Sequence, residues 1–130
     1  MNKYKNIKIE FNGIMFDSKD EADFYKYLLE SYDKDKIIIQ PAFILQNAFI
    51  NEYSKTKMKP IIYIADFQID NIVYDIKGFS TPVALLKKKM FIFKYPNLKL
   101  IWLARNPKKF GGGFIEVEKL KKLRKAKNGK

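Results

Sequence analysis

Residues Ile7-Lys8-Ile9-Glu10-Phe11 alternate apolar and polar with a period of two, Asn12-Gly13 follows as a two-residue turn signal, and Ile14-Met15-Phe16 resumes the apolar run. That pattern predicts a small N-terminal β-hairpin. The period then changes. Phe24, Tyr25, Leu28, Leu29 and Tyr32 recur at helical intervals up to about Asp33, and Ser18 followed by Glu21 has capping-box spacing, so a helix is expected from Ser18. Ile37-Ile38-Ile39 is short, continuous and β-branched, which suits a buried strand, with Pro41 limiting it or marking an edge or bulge before Phe43-Ile44-Leu45. The polar stretch Asn51 to Lys59 reads as a loop.

Two strands are expected next, Ile61 to Gln68 and Ile72 to Lys77, joined through Asp70-Asn71 and closed by Gly78. Thr81-Pro82 supplies an N-cap and a first-turn proline for a helix running to about Lys94, where Tyr95-Pro96-Asn97 ends it. Leu98 to Ala104 reads as a further strand, Arg105 to Gly113 as a loop, and Glu116 to Lys127 as a short basic helix leading into the tail. A hairpin, a helix, three strands, a helix and a strand together predict an α/β fold with a mixed sheet flanked by helices.

At 130 residues the chain suits one domain with one core. We assign that domain to residues 1–117 and leave 118–130 as a basic C-terminal helix or tail. There is no Cys and no His, which excludes a disulfide framework, a Cys/His zinc site, a Cys nucleophile and a Ser-His-Asp triad. Any acid, base or metal ligand must be Asp, Glu, Lys, Tyr, a backbone group or water, which points to hard cations such as magnesium if a metal is used. The net charge of +12 suggests a polyanionic partner, nucleic acid first, with an anionic membrane surface or a solubilising charge as the other readings. The basic residues are 24 Lys and 2 Arg beside abundant Ile, Asn and Tyr, a pattern that an AT-rich coding sequence also produces. Neither a signal peptide nor an apolar run of ~18 residues is present, and a cytoplasmic protein without membrane contact is expected.

Ala65-Asp66-Phe67 and Asp75-Ile76-Lys77 carry the candidate chemistry. A hairpin symmetric about Asp70-Asn71 sets Asp66 directly opposite Asp75, with Cβ atoms about 5 Å apart on one face, and Lys77 shares that face while Ile72, Tyr74 and Ile76 point to the other. Opposed like charges are destabilising unless a cation sits between them, and a divalent ion would resolve the conflict. The competing readings are a solvated sheet face or a salt bridge to Lys77. Glu21 heads the apolar stripe of its helix, which turns its carboxylate toward the sheet; taken alone, a capping-box glutamate reaching back to the Ser18 amide is the first reading.

These residues resemble the PD-(D/E)XK nuclease superfamily, whose restriction-endonuclease-like core is a helix, three strands, a helix and a strand. Within it the chain looks most like small phage-encoded endonucleases and Holliday-junction resolvases, over roughly Ser18 to Ala104. The signature is an acid on the second core strand, an acid, any residue and Lys on the third, and a Glu on the first helix. Those roles fall on Asp66, on Asp75 and Lys77, and on Glu21, with Ala65 standing where the motif name has proline. The resemblance implies a magnesium-dependent endonuclease that hydrolyses DNA phosphodiester bonds, with manganese as a substitute metal. Asp66, Asp75 and the backbone carbonyl of Ile76 would hold the ion, Glu21 would bind or orient through water, and Lys77 would steady the attacking water and the charge developing on phosphorus. It further implies action on branched or Holliday-junction DNA in phage recombination or replication, by a homodimer, since junction resolvers cut two strands. A sequence-specific restriction-type or nicking nuclease is the closest alternative; a nucleic-acid-binding or protein-interaction module without turnover is the other.

The remaining lysines are weaker signals. Leu85, Leu86, Ile92 and Phe93 surround Lys89 at helical spacings, which turns Lys89 inward, either snorkelling to solvent or as a second basic group near the scissile phosphate. Lys87 and Lys88 are expected to project outward and, with Arg105, Lys108 and Lys109, are solvated charges or phosphate contacts. Seven basic and no acidic residues occupy Lys119 to Lys130, among them Lys121, Lys122, Arg124 and Lys125, as suits either an arm on a phosphate backbone or a solubilising tail. Gly111-Gly112-Gly113 lacks the Gly-Lys-Ser/Thr of a phosphate loop and reads as a flexible connection.

Overall fold

The computed structural model describes residues 8–128, with side chains to Ala126. Ile7 of the expected hairpin, the Lys127 side chain and Lys130 lie outside the described residues. In chain order the elements are β1 (Ile9–Phe11), β2 (Ile14–Phe16), α1 (Lys19–Leu29), β3 (Ile38–Ile39), β4 (Ala42–Gln46), β5 (Phe49–Asn51), β6 (Thr56–Met58), β7 (Ile61–Ile64), β8 (Phe67–Ile69), β9 (Ile72–Ile76), α2 (Pro82–Lys94), β10 (Lys99–Arg105), β11 (Phe114–Glu116) and α3 (Val117–Asn128). The described residues form an α/β fold with a mixed sheet and three α-helices. The chain divides into two compact units, Met1–Ile37 with Trp102–Lys130, and Ile38–Ile101.

In the first unit, β1 and β2 pair in the expected register, Ile9 with Phe16 and Phe11 with Ile14. The turn works because Asn12 and Gly13 both take left-handed φ, 54° and 78°, the geometry whose twist matches the strands. α1 begins as its capping signal predicts. Ser18 is extended and its Oγ accepts the Glu21 amide at 3.2 Å. The helix ends at Leu29, short of Asp33, because Ser31 and Tyr32 amides both turn back to the Leu28 carbonyl and the Tyr32 ring is left exposed. Its buried face carries Ala22, Phe24, Tyr25 and Leu28. Tyr25 meets the rings of Phe16 and Phe11 at 5.3 and 6.1 Å, and Phe24 meets Phe114 edge-on at 5.2 Å, contacts each contributing about 0.5–1.5 kcal/mol beyond burial. The part of β10 after Trp102 pairs antiparallel with β11, Leu103 opposite Glu116. Between them the three glycines, all at positive φ, form a tight loop held by the Asn106 amide, which donates to the Phe110 and Gly112 carbonyls.

In the second unit, the stretch expected as one strand from Ile61 to Gln68 is two. β7 pairs with β4, whereas β8 pairs with β3 and β9. The break falls at Ala65-Asp66, opposite a matching break at Gln40-Pro41: Gln40 takes a φ of 53°, its amide donates to the Asp66 carbonyl at 2.9 Å, and the Ala65 amide donates to the Pro41 carbonyl at 3.1 Å. Pro41 cannot donate, so the ladder bends there rather than running straight. The expected Ile37–Ile39 strand shrinks to β3, with Ile38 half exposed, and the expected loop at Asn51 to Lys59 holds the turn and second strand of the β5–β6 hairpin. Along this unit the strand order is β3-β8-β9, followed by the Lys99–Ile101 end of β10. α2 starts and stops where expected, with Thr81 Oγ1 accepting the Ala84 amide at 3.0 Å and the Tyr95 amide closing on Phe91. Its core gathers Leu45, Tyr63, Ala65, Val73 and Phe91. Phe91 is fully buried, with Phe43, Tyr95 and Tyr63 at 4.9, 5.1 and 5.5 Å between ring centres.

That packing sets which side of α2 faces the strands, and it is not the side its sequence pattern predicts. Ala84, Lys87, Met90 and Phe91 lie toward the sheet, while Leu85, Leu86, Lys89, Ile92 and Phe93 are exposed. Apolar residues occur all round this helix, so periodicity could not choose its face. Lys89 is therefore an outward residue, and Lys87 an inward one.

Candidate active site

β9 alternates as a half-buried strand should: Val73 and Asp75 are buried and Ile72, Tyr74 and Ile76 are partly so. Asp75 thus extends the face on which Val73 joins the core, and only 4% of it is exposed. A buried carboxylate needs partners. Tyr63, reaching across from β7, donates its hydroxyl to Asp75 Oδ2, and Lys77 Nζ stands 3.2 Å from the same oxygen. Lys77 shares the face of Asp75, as the two-residue spacing requires.

The β8–β9 register is the one a turn at Asp70-Asn71 sets, with Phe67 opposite Tyr74 and Ile69 opposite Ile72. Asp66 lies just beyond the last regular pair. Its amide shifts to the Tyr74 carbonyl at 3.1 Å, and its Oδ2 accepts the Ile76 amide at 2.7 Å. The bend at Ala65-Asp66 therefore re-aims the Asp66 carboxylate onto the backbone between Asp75 and Lys77, the kind of local redirection that β-bulges produce. Asp66, Asp75, Lys77 and the backbone of Ile76 are brought together within this unit. Among the described residues, no group of three or more acidic side chains stands ready to hold a metal ion.

Glu21 lies in the first unit, in the first turn of α1, where its carboxylate accepts the Ser18 hydroxyl at 3.1 Å. The capping relationship expected for it is present, with the Ser18 hydroxyl donating to Glu21 and accepting its amide. Arg105, in the same unit, is committed: its guanidinium bonds Asp20 at 2.8 Å and Asp23 at 2.6 Å and lies 4.6 Å over the Phe114 ring. The hydrogen bond from Lys19, opposed by burial and reinforced by Arg105, holds the Asp23 carboxyl below its ordinary value. Burial works against the Arg105 charge, but the bonds to Asp23 and Asp20 outweigh it and raise its affinity for its proton. Lys108 and Lys109 are exposed in the loop before the glycines, and Lys121, Lys122, Arg124 and Lys125 are exposed on α3. Lys88 is half-buried on α2.

Two residues escaped the sequence. Tyr63 stands in an uninterrupted apolar run, Ile61 to Ile64, where only the pairing of β7 with β4 turns its ring toward Asp75. Lys87 was expected to point outward; its Nζ instead donates to the Ile62 carbonyl at 3.0 Å.

Residues 1–111 match a family model described as a protein of unknown function, DUF1064. The chain belongs to the DUF1064 family. No curated protein and no solved structure matches it. The match in this DUF1064 protein takes in α1, the Asp66-Asp75-Lys77 group and Arg105, and leaves α3 outside. No helix among its described residues is long and apolar enough to cross a membrane.

Proposed function

We propose that this DUF1064 protein is a magnesium-dependent DNA endonuclease built on a restriction-endonuclease-like core. The observation that carries the reading is the convergence of two carboxylates and an ammonium at the β8–β9 hairpin, where Asp66 bonds the amide of Ile76 and Lys77 stands 3.2 Å from Asp75. A sheet built for stability alone gains little from an acid buried beside a second acid and a lysine. The order of helix, strands, helix and strand along the chain supports the same reading, and so does the surplus of +12.

The donor set fits a hard divalent cation: two carboxylates and a backbone carbonyl, in a chain without Cys or His. Asp66, Asp75 and the Ile76 carbonyl would hold it. When bound, such an ion supplies Lewis-acid polarisation of a phosphate oxygen. Lys77 steadies negative charge that develops on the phosphate and orients the attacking water, and Tyr63 keeps Asp75 in place. Glu21, in the first unit, belongs to the proposal through its resemblance to the family's helix glutamate alone. Branched DNA is the proposed substrate, and a pair of chains the proposed assembly, since both strands of a junction must be cut.

The test incubates the protein with magnesium or manganese and either a four-way junction or a linear duplex, beside Asp75→Asn and Lys77→Ala. Selective junction cleavage that both variants lose is the expected result. Variants that cut as fast as wild type refute the site. Binding to DNA without cleavage in either metal refutes the enzyme.

A further inference from the structure

Beside Asp75, the second unit has a concavity of about 310 Å³ between β7 and the start of α2. Two lysines reach it from different elements, Lys77 from the end of β9 and Lys87 from the second turn of α2, and Ile62, Ile64 and Val83 form an apolar side. Each ammonium is held from below. Lys77 leans on Asp75 at 3.2 Å, and Lys87 donates to the Ile62 carbonyl at 3.0 Å, which uses one of its three protons. Ile64 and Val83 are 61% and 62% exposed at the rim, and the volume lies at the small end of ligand clefts, about 300–1,000 Å³.

We infer that this concavity is a nucleotide subsite, in which Lys87 and Lys77 take one backbone phosphate of a nucleic-acid strand and Ile62, Ile64 and Val83 receive the sugar or base attached to it. The inference rests on the nuclease reading for its ligand class and adds Lys87 as a phosphate-binding residue. An ammonium anchored by a backbone carbonyl needs little ordering when a phosphate arrives, so the site is prepared for an anion before one binds. The apolar side separates this site from a plain electrostatic patch, because it favours a nucleotide over a free phosphate ion.

Anisotropy of a dye-labelled oligonucleotide in EDTA, where nothing is cut, tests the subsite apart from catalysis. Lys87→Ala is expected to weaken binding about tenfold and to lower the slope of log affinity against log salt by about one phosphate contact. Lys87→Arg should retain most of the affinity, and Lys57→Ala, an exposed lysine on β6, should change it less than about twofold. Circular dichroism of each variant reports folding, and Lys87→Gln substitutes if the alanine variant unfolds. Equal losses in the Lys57 and Lys87 variants, or wild-type slope in Lys87→Ala and Lys87→Gln, overturn the subsite even if the enzyme cuts DNA. Loss confined to Lys87 in a protein that never cuts supports the subsite and overturns the nuclease. Wild type that binds no oligonucleotide overturns the subsite, while the cleavage assay with metal decides the nuclease.

Discussion

Tyr63 donates its hydroxyl to the carboxylate of Asp75, a residue twelve positions further along the chain, and both side chains are buried. Removing the donor leaves a buried charge with one partner fewer, a loss of about 1–3 kcal/mol. Tyr63→Phe should therefore lower the unfolding free energy by that amount, seen as a lower urea midpoint with an unchanged slope. In an Asp75→Asn background the same substitution should lose much less, and the double-mutant cycle measures the difference. Equal losses in both backgrounds would show that the hydroxyl acts independently of the Asp75 charge.

Asp66 serves a backbone amide as well as the proposed metal, so its substitutions should separate the two roles. Asp66→Asn keeps an acceptor for the Ile76 amide and should leave stability near wild type; Asp66→Ala should lose about 1–3 kcal/mol. Both should reduce magnesium-dependent cleavage about a hundredfold or more. Denaturation and cleavage measured on the same samples decide this, and an active Asp66→Asn would remove Asp66 from the site.

The Asp23 carboxyl in the first unit is held below its ordinary value of 3.8. A group whose folded value is depressed stabilises the fold fully above the unfolded value, and that contribution fades as pH falls through the folded one. Wild type should thus exceed Asp23→Asn in stability at neutral pH, with the gap closing below pH 3.8. Urea unfolding across an acid series checks the sign; a gap that widens toward low pH would contradict it.

Thr81 caps α2 through the bond from the Ala84 amide at 3.0 Å. Thr81→Ala should lower stability by about 1 kcal/mol, and Thr81→Ser should restore most of it. Thermal unfolding of the three proteins is the measurement. Should Thr81→Ala melt with wild type, the cap contributes nothing to the fold.

Local chemistry explains why some elements were legible. Asn12-Gly13, Ser18 and Thr81-Pro82 act through bonds within three residues of themselves, and each begins or turns its element where the pattern says. The alternation of β9 around a turn at Asp70-Asn71 likewise brought Asp75 and Lys77 onto one face and set the register of β8. These features depend on backbone periods and short-range hydrogen bonds, which neighbouring residues decide.

Long-range packing decided the rest. The bend that aims Asp66 requires Gln40-Pro41 to lie against Ala65-Asp66, and the partner of Asp75 comes from β7 only because β7 leaves β8 to pair with β4. A helix apolar on every side turned Lys87 inward and Lys89 outward once Phe91 found Phe43, Tyr63 and Tyr95. By itself, then, the order of residues determined the N-terminal hairpin, the two capped helices, the β8–β9 turn and the placing of Asp75 and Lys77 on one face. Tertiary structure alone chose the face of α2, the break in the long strand and the tyrosine on Asp75, because each depends on contacts between segments too far apart for any local period to register.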